Sequence, residues 1–388
     1  MQRILTFLFL LSLLSTSCTA QSSEGSPRQS DESTPAPYSP DTPSPPEIDA
    51  PLNEYPSLVS IRFLNSLDGW GVTETRIVRT NDGGITWYDV TPPSVSEAGY
   101  TVNLFVLDND HVWLHIPNID NYPNSGYLYR TTDGGMTWMK FDSPFSSGRI
   151  RFLDANNGWA LADLGVGAGS NAVAVYQTTD GGVEWHQTYV NDPNHPNAGD
   201  SLPLGGLKYG IASPSMVSAW VYGIVYAPGT PYLYRTENAG HLWEQASIPL
   251  LPGSENTELT IEQVEFVSPT DAFLTMRMTS DAINLAVYTS NDAGNTWTLT
   301  PTLIPDAGSA DFMSAEDAVI YNGSQFYVTR DAARTWSIIP PDVQFGDTFA
   351  SMDFVDLSTG WVLTLDPTNH RSLYKTGDGG ATWFPVVP

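Results

Sequence analysis

Cysteine and positive charge are what this sequence has least of. One residue of 388 is a cysteine, which excludes intramolecular disulfides and any zinc or iron–sulfur site built from cysteines. Lysine and arginine total 16 against 43 acidic residues, a formal net charge of −27 that excludes general binding to nucleic acid. Charged residues make up only 15% of the chain, which is low for a protein of exposed helices.

Turn-forming and aromatic residues are plentiful instead. The chain has 32 Gly, 30 Pro, 12 Trp, 18 Tyr and 15 Phe. Many glycines and prolines among aromatic residues favour short strands joined by turns. The composition therefore predicts an all-β protein with a sizeable core.

The first 18 residues have the pattern of a signal peptide. An apolar run from Ile4 to Leu14 follows Arg3 and is too short to span a bilayer. The single cysteine, Cys18, comes directly afterwards in the segment LSTSC, which resembles a bacterial lipobox. We expect an exported lipoprotein attached to the membrane through Cys18. The alternative is ordinary cleavage after Ala20, which would leave a secreted protein.

Residues 19–56 are rich in proline and serine and poor in aliphatic residues. Such a composition cannot bury enough surface to fold, so it predicts a disordered tether. The folded domain is expected to span residues 57–388.

One eight-residue motif occurs seven times in that domain. Its pattern is Ser/Thr-x-Asp-x-Gly-x-x-Trp, and successive tryptophans lie 39 to 58 residues apart. The copies are 80–87, 131–138, 178–185, 236–243, 290–297, 329–336 and 376–383.

A second element precedes each copy of the motif. It is an aromatic-centred strand, a turn and another strand, as in IRFLNSLDGWGV at 61–72 and MDFVDLSTGWVL at 352–363. With one strand before each motif and one after it, every repeat has four short antiparallel strands. Repeats of this length and content are typical of propeller blades, so we predict a seven-bladed β-propeller.

The seven motifs resemble Asp-boxes, also called bacterial neuraminidase repeats. Together with the elements at Phe63–Trp70 and Phe354–Trp361, they make residues 57–388 similar to the photosystem II stability/assembly-factor family. The resemblance implies an exported seven-bladed propeller that binds proteins, often with a lipid anchor.

The acidic position of each motif is interpreted as structural. Its side chain is expected to accept backbone hydrogen bonds across the turn between strands three and four. Asn in the fourth copy keeps the acceptor and loses the charge, which a turn tolerates and a repeated catalytic role would not. The seven positions are Asp82, Asp133, Asp180, Asn238, Asp292, Asp331 and Asp378.

No catalytic signature accompanies the repeats. The sequence lacks a Walker loop, a Gly-x-Ser-x-Gly elbow, a dinucleotide fingerprint and histidines at metal-ligand spacing. With 43 acidic residues, a pair of carboxylates carries no information about glycoside hydrolysis. We therefore predict neither catalytic residues, nor metal, nor cofactor.

One position of the first strand is charged in most repeats, and the sign of the charge changes from positive in the early repeats to negative in the late ones. The residue before the aromatic is, in repeat order, Arg62, Leu104, Arg151, Lys208, Glu265, Asp311 and Asp353. In a propeller this strand lines the central channel, so the charges are predicted to orient a protein partner at its mouth. The alternative is that they pair with one another or with the carboxylates of the repeated motifs. Under the first interpretation, reversing the three cations to Glu removes partner binding and leaves thermal stability nearly unchanged.

These patterns predict a non-catalytic, extracytoplasmic protein that binds a protein partner, such as a membrane complex. The alternative is a carbohydrate-active protein, either a sialidase-like glycosidase or a glycan binder. For that alternative, the loop Thr188–Leu204, with Asp192, His195 and Asp200, is the candidate site.

Overall fold

The computed structural model describes residues 52, 54–95, 102–306 and 308–387. The signal peptide, Cys18 and most of the predicted tether lie outside these residues. Leu52 and Tyr55 already contact the folded part: the Leu52 amide donates to the Trp87 carbonyl at 2.8 Å, and the Tyr55 hydroxyl donates to the Gly84 carbonyl at 3.0 Å. Ordered contacts thus begin a few residues before the predicted start at residue 57.

The described residues form 28 strands, which fall into seven consecutive sets of four. Each set, called a unit here, pairs its strands antiparallel in chain order. Unit 1 comprises β1 Leu58–Phe63, β2 Gly69–Thr73, β3 Ile77–Thr80 and β4 Tyr88–Asp89, and unit 2 comprises β5 Asn103–Val106, β6 Val112–Pro117, β7 Gly126–Thr131 and β8 Met139–Ser143. Unit 3 comprises β9 Gly148–Phe152, β10 Gly158–Gly167, β11 Ser170–Thr178 and β12 His186–Val190. Unit 4 comprises β13 Leu207–Ala212, β14 Ala219–Ile224, β15 Pro231–Thr236 and β16 Glu244–Gln245.

Unit 5 comprises β17 Glu258–Phe266, β18 Ala272–Thr279, β19 Ile283–Ser290 and β20 Thr298–Pro305. Unit 6 comprises β21 Ser309–Phe312, β22 Asp317–Tyr321, β23 Phe326–Arg330 and β24 Ser337–Ile339. Unit 7 comprises β25 Phe349–Phe354, β26 Gly360–Leu365, β27 Arg371–Thr376 and β28 Phe384–Pro385. One bridge between Ile224 and Thr260 joins units 4 and 5 into a single sheet. Apart from the 3₁₀ turns Ile119–Asn121 and Gly346–Thr348, every regular element among the described residues is a strand. In this part of the chain no helix is long and apolar enough to cross a bilayer.

Short polar side chains hold the turn between the first two strands of each unit. Asn65 Oδ1 accepts from the amides of Leu67 and Asp68 at 2.8 and 2.9 Å. Asp154 and Asp356 do the same in units 3 and 7. A side chain that bonds the backbone two or three residues on favours a tight turn, so these hairpins are encoded locally.

The seven repeated motifs form the turns between the third and fourth strands. In the first, the Thr80 hydroxyl donates to Asp82 Oδ1 at 2.9 Å, and the same oxygen accepts from the Thr86 amide at 2.8 Å. The Trp87 indole donates to the Gly84 carbonyl at 2.9 Å. The pair of bonds made by Asp82 recurs at Asp133, Asp180, Asn238, Asp292, Asp331 and Asp378.

Aromatic rings connect one unit to the next. The ring of Trp113, in unit 2, stacks on Phe152 of unit 3 with centroids 3.8 Å apart. Its indole also donates to the Gly181 carbonyl in the turn of unit 3 at 2.8 Å. Because these rings are fully buried, each unit completes its core only against a neighbour.

The first and last units contact each other in the same way. Phe63 of unit 1 stacks on Trp361 of unit 7 at 3.6 Å, and the Trp361 indole donates to the Gly83 carbonyl at 3.0 Å. The Lys375 ammonium donates to the Ser66 carbonyl at 2.9 Å. Among the described strands, none is exchanged between these two units, since each unit takes its four strands from one continuous segment.

Candidate functional site

The first strands of six units line a cavity of about 730 Å³. We call it the first-strand cavity. Its lining includes Arg62, Leu104, Arg151, Glu265 and Asp311, five of the seven residues that the sequence places at one position.

The cations of this cavity are paired with carboxylates. Arg62 donates to Asp353 Oδ1 at 2.9 Å, between units 1 and 7. Arg151 makes two bonds to Glu265, at 2.7 and 3.1 Å, between units 3 and 5. The geometry therefore follows the alternative in which these charges pair with one another. The Arg62 side chain nevertheless keeps 56% of its surface exposed.

Two aspartates bond the backbone of the next unit. The Phe63 amide of unit 1 donates to Asp353 of unit 7. The Phe354 amide of unit 7 donates to Asp311 of unit 6 at 2.9 Å. These carboxylates thus fix neighbouring first strands to one another, a role that the sequence analysis did not find.

Burial and mutual repulsion change the protonation of this pair. Burial, together with the neighbouring Asp353 carboxylate, raises the pKa of Asp311 to about 8. Burial also raises the pKa of Asp353, although the Arg62 guanidinium opposes that rise. The walls of the cavity partly desolvate the Arg62 guanidinium, which alone would lower its pKa, but the surrounding carboxylates, Asp353 first, outweigh this and raise that pKa.

The strand register corrects two of the seven positions. In unit 1, Arg62 lies opposite Trp70 of the second strand. In unit 2 the residue opposite Trp113 is Phe105, so Leu104 is displaced by one position. In unit 4 the residue opposite Trp220 is Ala212, and Lys208 lies four residues earlier. A bulge between Lys208 and Gly210 leaves Tyr209 out of register with the aromatic residues of the other first strands, so Lys208 does not occupy the position of Arg62.

Lys208 occupies a different environment from the other charges. Its ammonium donates to the carbonyl groups of Leu204, Asn171 and Gly206 at 2.7, 3.0 and 3.1 Å. Burial lowers its pKa to about 7. Reversing this residue to Glu would bury a carboxylate among carbonyl oxygens, so the expectation that the triple reversal leaves stability nearly unchanged is not physically reasonable.

The motif carboxylates are engaged in their own turns. Partial burial alone would raise the pKa of Asp82, but hydrogen bonds from Thr86 and Thr80 outweigh it and hold that pKa below its ordinary value. In the loop Thr188–Leu204, Asp192 also bonds locally, since its Oδ1 accepts from the Asn194 amide at 2.9 Å. Among the described residues, no group of three His, Cys, Asp or Glu side chains could hold a metal ion.

The first-strand cavity can therefore recognise a ligand by shape and by an uneven distribution of charge. Arg62 and Arg151 lie on units 1 and 3, and the acidic lining residues Glu265 and Asp311 lie on units 5 and 6. Its carboxylates accept bonds from arginines or from backbone amides, which leaves them less available to a substrate.

Solved structures place the chain among β-propellers. YCF48 bound to D1 peptide matches 84% of this chain and 93% of that chain, at 15% identity and a TM-score of 0.51. The GH74 xyloglucanase from Xanthomonas campestris matches 85% of this chain at 12% identity and a TM-score of 0.55. A PL25 ulvan lyase matches 87% of this chain and 94% of that chain, at 9% identity and a TM-score of 0.51.

The match to the xyloglucanase covers 54% of that enzyme, so this chain spans about half its length. The similar structures thus include carbohydrate-cleaving enzymes as well as a peptide complex, and at these identities they support the fold alone. Neither a protein-family model nor a curated protein sequence matches the chain.

Proposed function

We propose that the chain is an exported, lipid-anchored, non-catalytic seven-bladed propeller that binds a protein partner at the cell envelope. The seven units are its blades, and the repeated turns are Asp-boxes. Cys18 carries the lipid, and the residues between Cys18 and Leu52 hold the propeller away from the membrane. The resemblance to the photosystem II stability/assembly-factor family and the likeness to YCF48 bound to D1 peptide support this proposal.

The observation that carries the proposal is the state of the charges in the first-strand cavity. A hydrolase needs carboxylates that are free to protonate a substrate or to activate water. Here Glu265 is bound by Arg151 at two points, and Asp353 is bound by Arg62 and by a backbone amide. Fixed, paired charges on rigid strands suit recognition of a protein surface better than proton transfer.

A cross-linking experiment tests this function. The full chain, anchored in its native envelope, is cross-linked and recovered, and its partners are identified by mass spectrometry. The informative variant is the exchange R151E/E265R, which keeps the ion pair but moves the positive charge from unit 3 to unit 5. R76E is the matched control, because Arg76 is exposed and lies outside the residues that line this cavity.

We expect wild type and R76E to recover the same membrane protein, and R151E/E265R to fold but to lose it. Recovery by the exchange variant at the wild-type level would show that these charges do not select the partner. If wild type recovers no protein, protein binding is refuted and a glycan array becomes the next measurement.

One observation favours a second candidate function, glycoside cleavage. Asp311 lines the cavity, and burial raises its pKa to about 8, so this carboxyl can hold a proton at neutral pH as a general acid does. Turnover of any member of a glycoside panel by wild type but not by D311N would support an enzyme. No turnover by either protein would count against an enzyme.

A further inference from the structure

A second cavity lies between units 3 and 4. Its volume is about 250 Å³, the space of about eight water molecules, which is room for a single sugar ring. The first three strands of unit 3 and the first strand of unit 4 supply most of its lining, and none of the lining residues belongs to the first-strand cavity. We call it the unit 3–4 pocket.

Strands β9 and β10 turn three polar side chains toward this pocket. Arg149 lies opposite Leu161, and the Asp163 amide donates to the Ser147 carbonyl at 2.9 Å. Since alternate residues of a strand share a face, the side chains of Ser147 and Asp163 project on the same side as that of Arg149. Leu161 is buried in the core that units 3 and 4 share, so this is the face that unit 4 covers.

Arg149 has a free guanidinium. The residue is exposed and, among the described residues, neither forms an ion pair nor donates a hydrogen bond. Arg151, two residues further along the same strand, has two of its nitrogens bound by Glu265. The strand thus carries one arginine that the fold uses and one that is available to a ligand.

Asn171 presents a buried donor to the same pocket. The Lys208 amide donates to Asn171 Oδ1 at 3.0 Å, and the Lys208 ammonium donates to the Asn171 carbonyl at 3.0 Å. Because Oδ1 must face that amide, Nδ2 takes the other position of the side chain. Asn171 is only 7% exposed, yet its Nδ2 donates to none of the described residues. A buried donor without a partner is costly, so this one points to a ligand that accepts from it.

Tyr209 supplies an exposed ring. The bulge between Lys208 and Gly210 takes Tyr209 out of the ladder, and a bulge of this kind re-aims a side chain. The Tyr209 side chain lines the pocket and stays partly open to solvent. An aromatic face beside free polar groups is typical of sites for small molecules that have both an apolar face and hydrogen-bonding groups.

We propose that the unit 3–4 pocket binds a hexuronate, a sugar ring that carries a carboxylate. The Arg149 guanidinium and Asn171 Nδ2 donate to the carboxylate, as charge-assisted bonds favour. Asp163 accepts from a ring hydroxyl, and Tyr209 covers the apolar face of the sugar. A neutral sugar would leave Arg149 unpaired, and a simple carboxylate would leave Asp163 unused. The inference does not rest on the proposed function, which concerns a protein partner and the first-strand cavity.

The net charge of −27 does not exclude an anionic ligand at this position. Two basic side chains, Arg149 and Lys208, line the pocket beside one carboxylate, that of Asp163. Exposed charges further away than about 8 Å are largely screened at physiological salt. The local balance of charge therefore decides which ligand the pocket accepts.

Three probes test the ligand. The full chain is titrated at about 0.15 M salt with methyl glucuronide, methyl glucoside and cyclohexanecarboxylate, and dissociation constants are obtained by ligand-observed NMR. We expect the glucuronide to bind at least about tenfold more tightly than either of the others. The glucoside lacks the carboxylate, and cyclohexanecarboxylate lacks the hydroxyl groups.

Two variants test the residues. R149Q should weaken binding of the glucuronide at least about tenfold, because it removes the charge at an exposed position. R330Q is the matched control, since Arg330 is also exposed and lies outside this pocket. N171D keeps an oxygen for the Lys208 amide but replaces the free donor by a second oxygen, so it should abolish binding. If N171D fails to fold, R149Q still decides the question.

Each result bears on one part of the inference. Equal affinities for the glucuronide and the glucoside, or equal affinities of R149Q and R330Q, would refute the carboxylate contact. Equal affinities for the glucuronide and cyclohexanecarboxylate would refute the sugar, and no binding of any probe would refute the pocket as a site. Binding of the glucuronide without recovery of a protein from the envelope would refute the proposed function and leave this inference standing. Recovery of a protein by a chain that binds no probe would do the reverse.

Discussion

At the scale of the residue, Asp311 makes the stability of the folded state depend on pH near neutrality, where most carboxylates have no effect. Its folded pKa of about 8 lies above the ordinary value of 3.8. The folded state therefore holds this proton more tightly than the unfolded chain does. The resulting stabilisation is fully present below about pH 4 and is lost as the pH rises to about 8.

D311N should remove that loss, since asparagine stays neutral and still accepts from the Phe354 amide. We expect the variant to match wild type at about pH 4 and to become progressively more stable than wild type as the pH rises, by more than about 2 kcal/mol near pH 8. Melting temperatures measured between about pH 4 and 9 check this. D281N, at an exposed position, is the control. Parallel curves for D311N and wild type would contradict the assignment.

Asp353 should be the most sensitive single residue between units 1 and 7. D353A leaves the Phe63 amide without an acceptor and Arg62 without its carboxylate. We expect a loss of about 2–4 kcal/mol in the free energy of unfolding. Urea unfolding provides the measurement, with D281A as the control. A loss no larger than that of the control would show that the aromatic stack and the hydrogen bonds of Trp361 and Lys375 hold the first and last units together without Asp353.

At the scale of the element, the repeated turns differ in backbone strain. The residue after the acidic position has a positive φ, which is 80° at Gly83 and 60° at Ala239. A left-handed conformation costs alanine roughly 1–2 kcal/mol, and glycine adopts it freely. The fourth motif is thus a strained copy of the first.

A239G should relieve this strain and raise the free energy of unfolding by about 0.5–1 kcal/mol, the remainder being lost to the greater freedom of glycine in the unfolded chain. Chemical denaturation measures the change. The control is A282G, at an exposed position outside the positive-φ set, which should destabilise slightly. Destabilisation by A239G would mean that the turn does not carry the strain.

Some of these elements could be predicted from the sequence and others could not. The turns and hairpins follow from it because their bonds are local, as when Asn65 and Asp82 bond residues two to four positions on. The bulge before Gly210 and the pairing of Arg151 with Glu265 depend on register and on contacts over 114 residues. No local pattern carries that information, so the site could be predicted only as a strand position and not as a set of partners.

At the scale of the whole molecule, the fold should tolerate circular permutation, in which the first and last units are joined and the chain begins elsewhere. Leu52 and Val386 pack in the same hydrophobic cluster, so a short linker can join the two ends of the described domain. A circular permutant with this linker and new termini between residues 95 and 102 keeps every unit whole. We expect it to retain the far-UV spectrum and to melt within about 5 °C of wild type.

The matched control for this permutant opens the chain inside Gly158–Gly167, which interrupts a central strand of unit 3. It should fail to fold. If the first permutant also fails, contacts between units 1 and 7 require the natural chain order, which would contradict the side-chain junction described above.

The continuity of each unit has a consequence for synthesis of the protein. Because four neighbouring strands belong to one uninterrupted segment, a unit can form its hydrogen bonds as soon as that segment has left the ribosome. A tryptophan that waits for the next unit, such as Trp113 for Phe152, stays exposed for only about forty residues of further translation. Phe63 is the exception, since its partner Trp361 is made nearly three hundred residues later. A nascent chain should therefore present one aromatic patch, on unit 1, to chaperones until its last unit is complete.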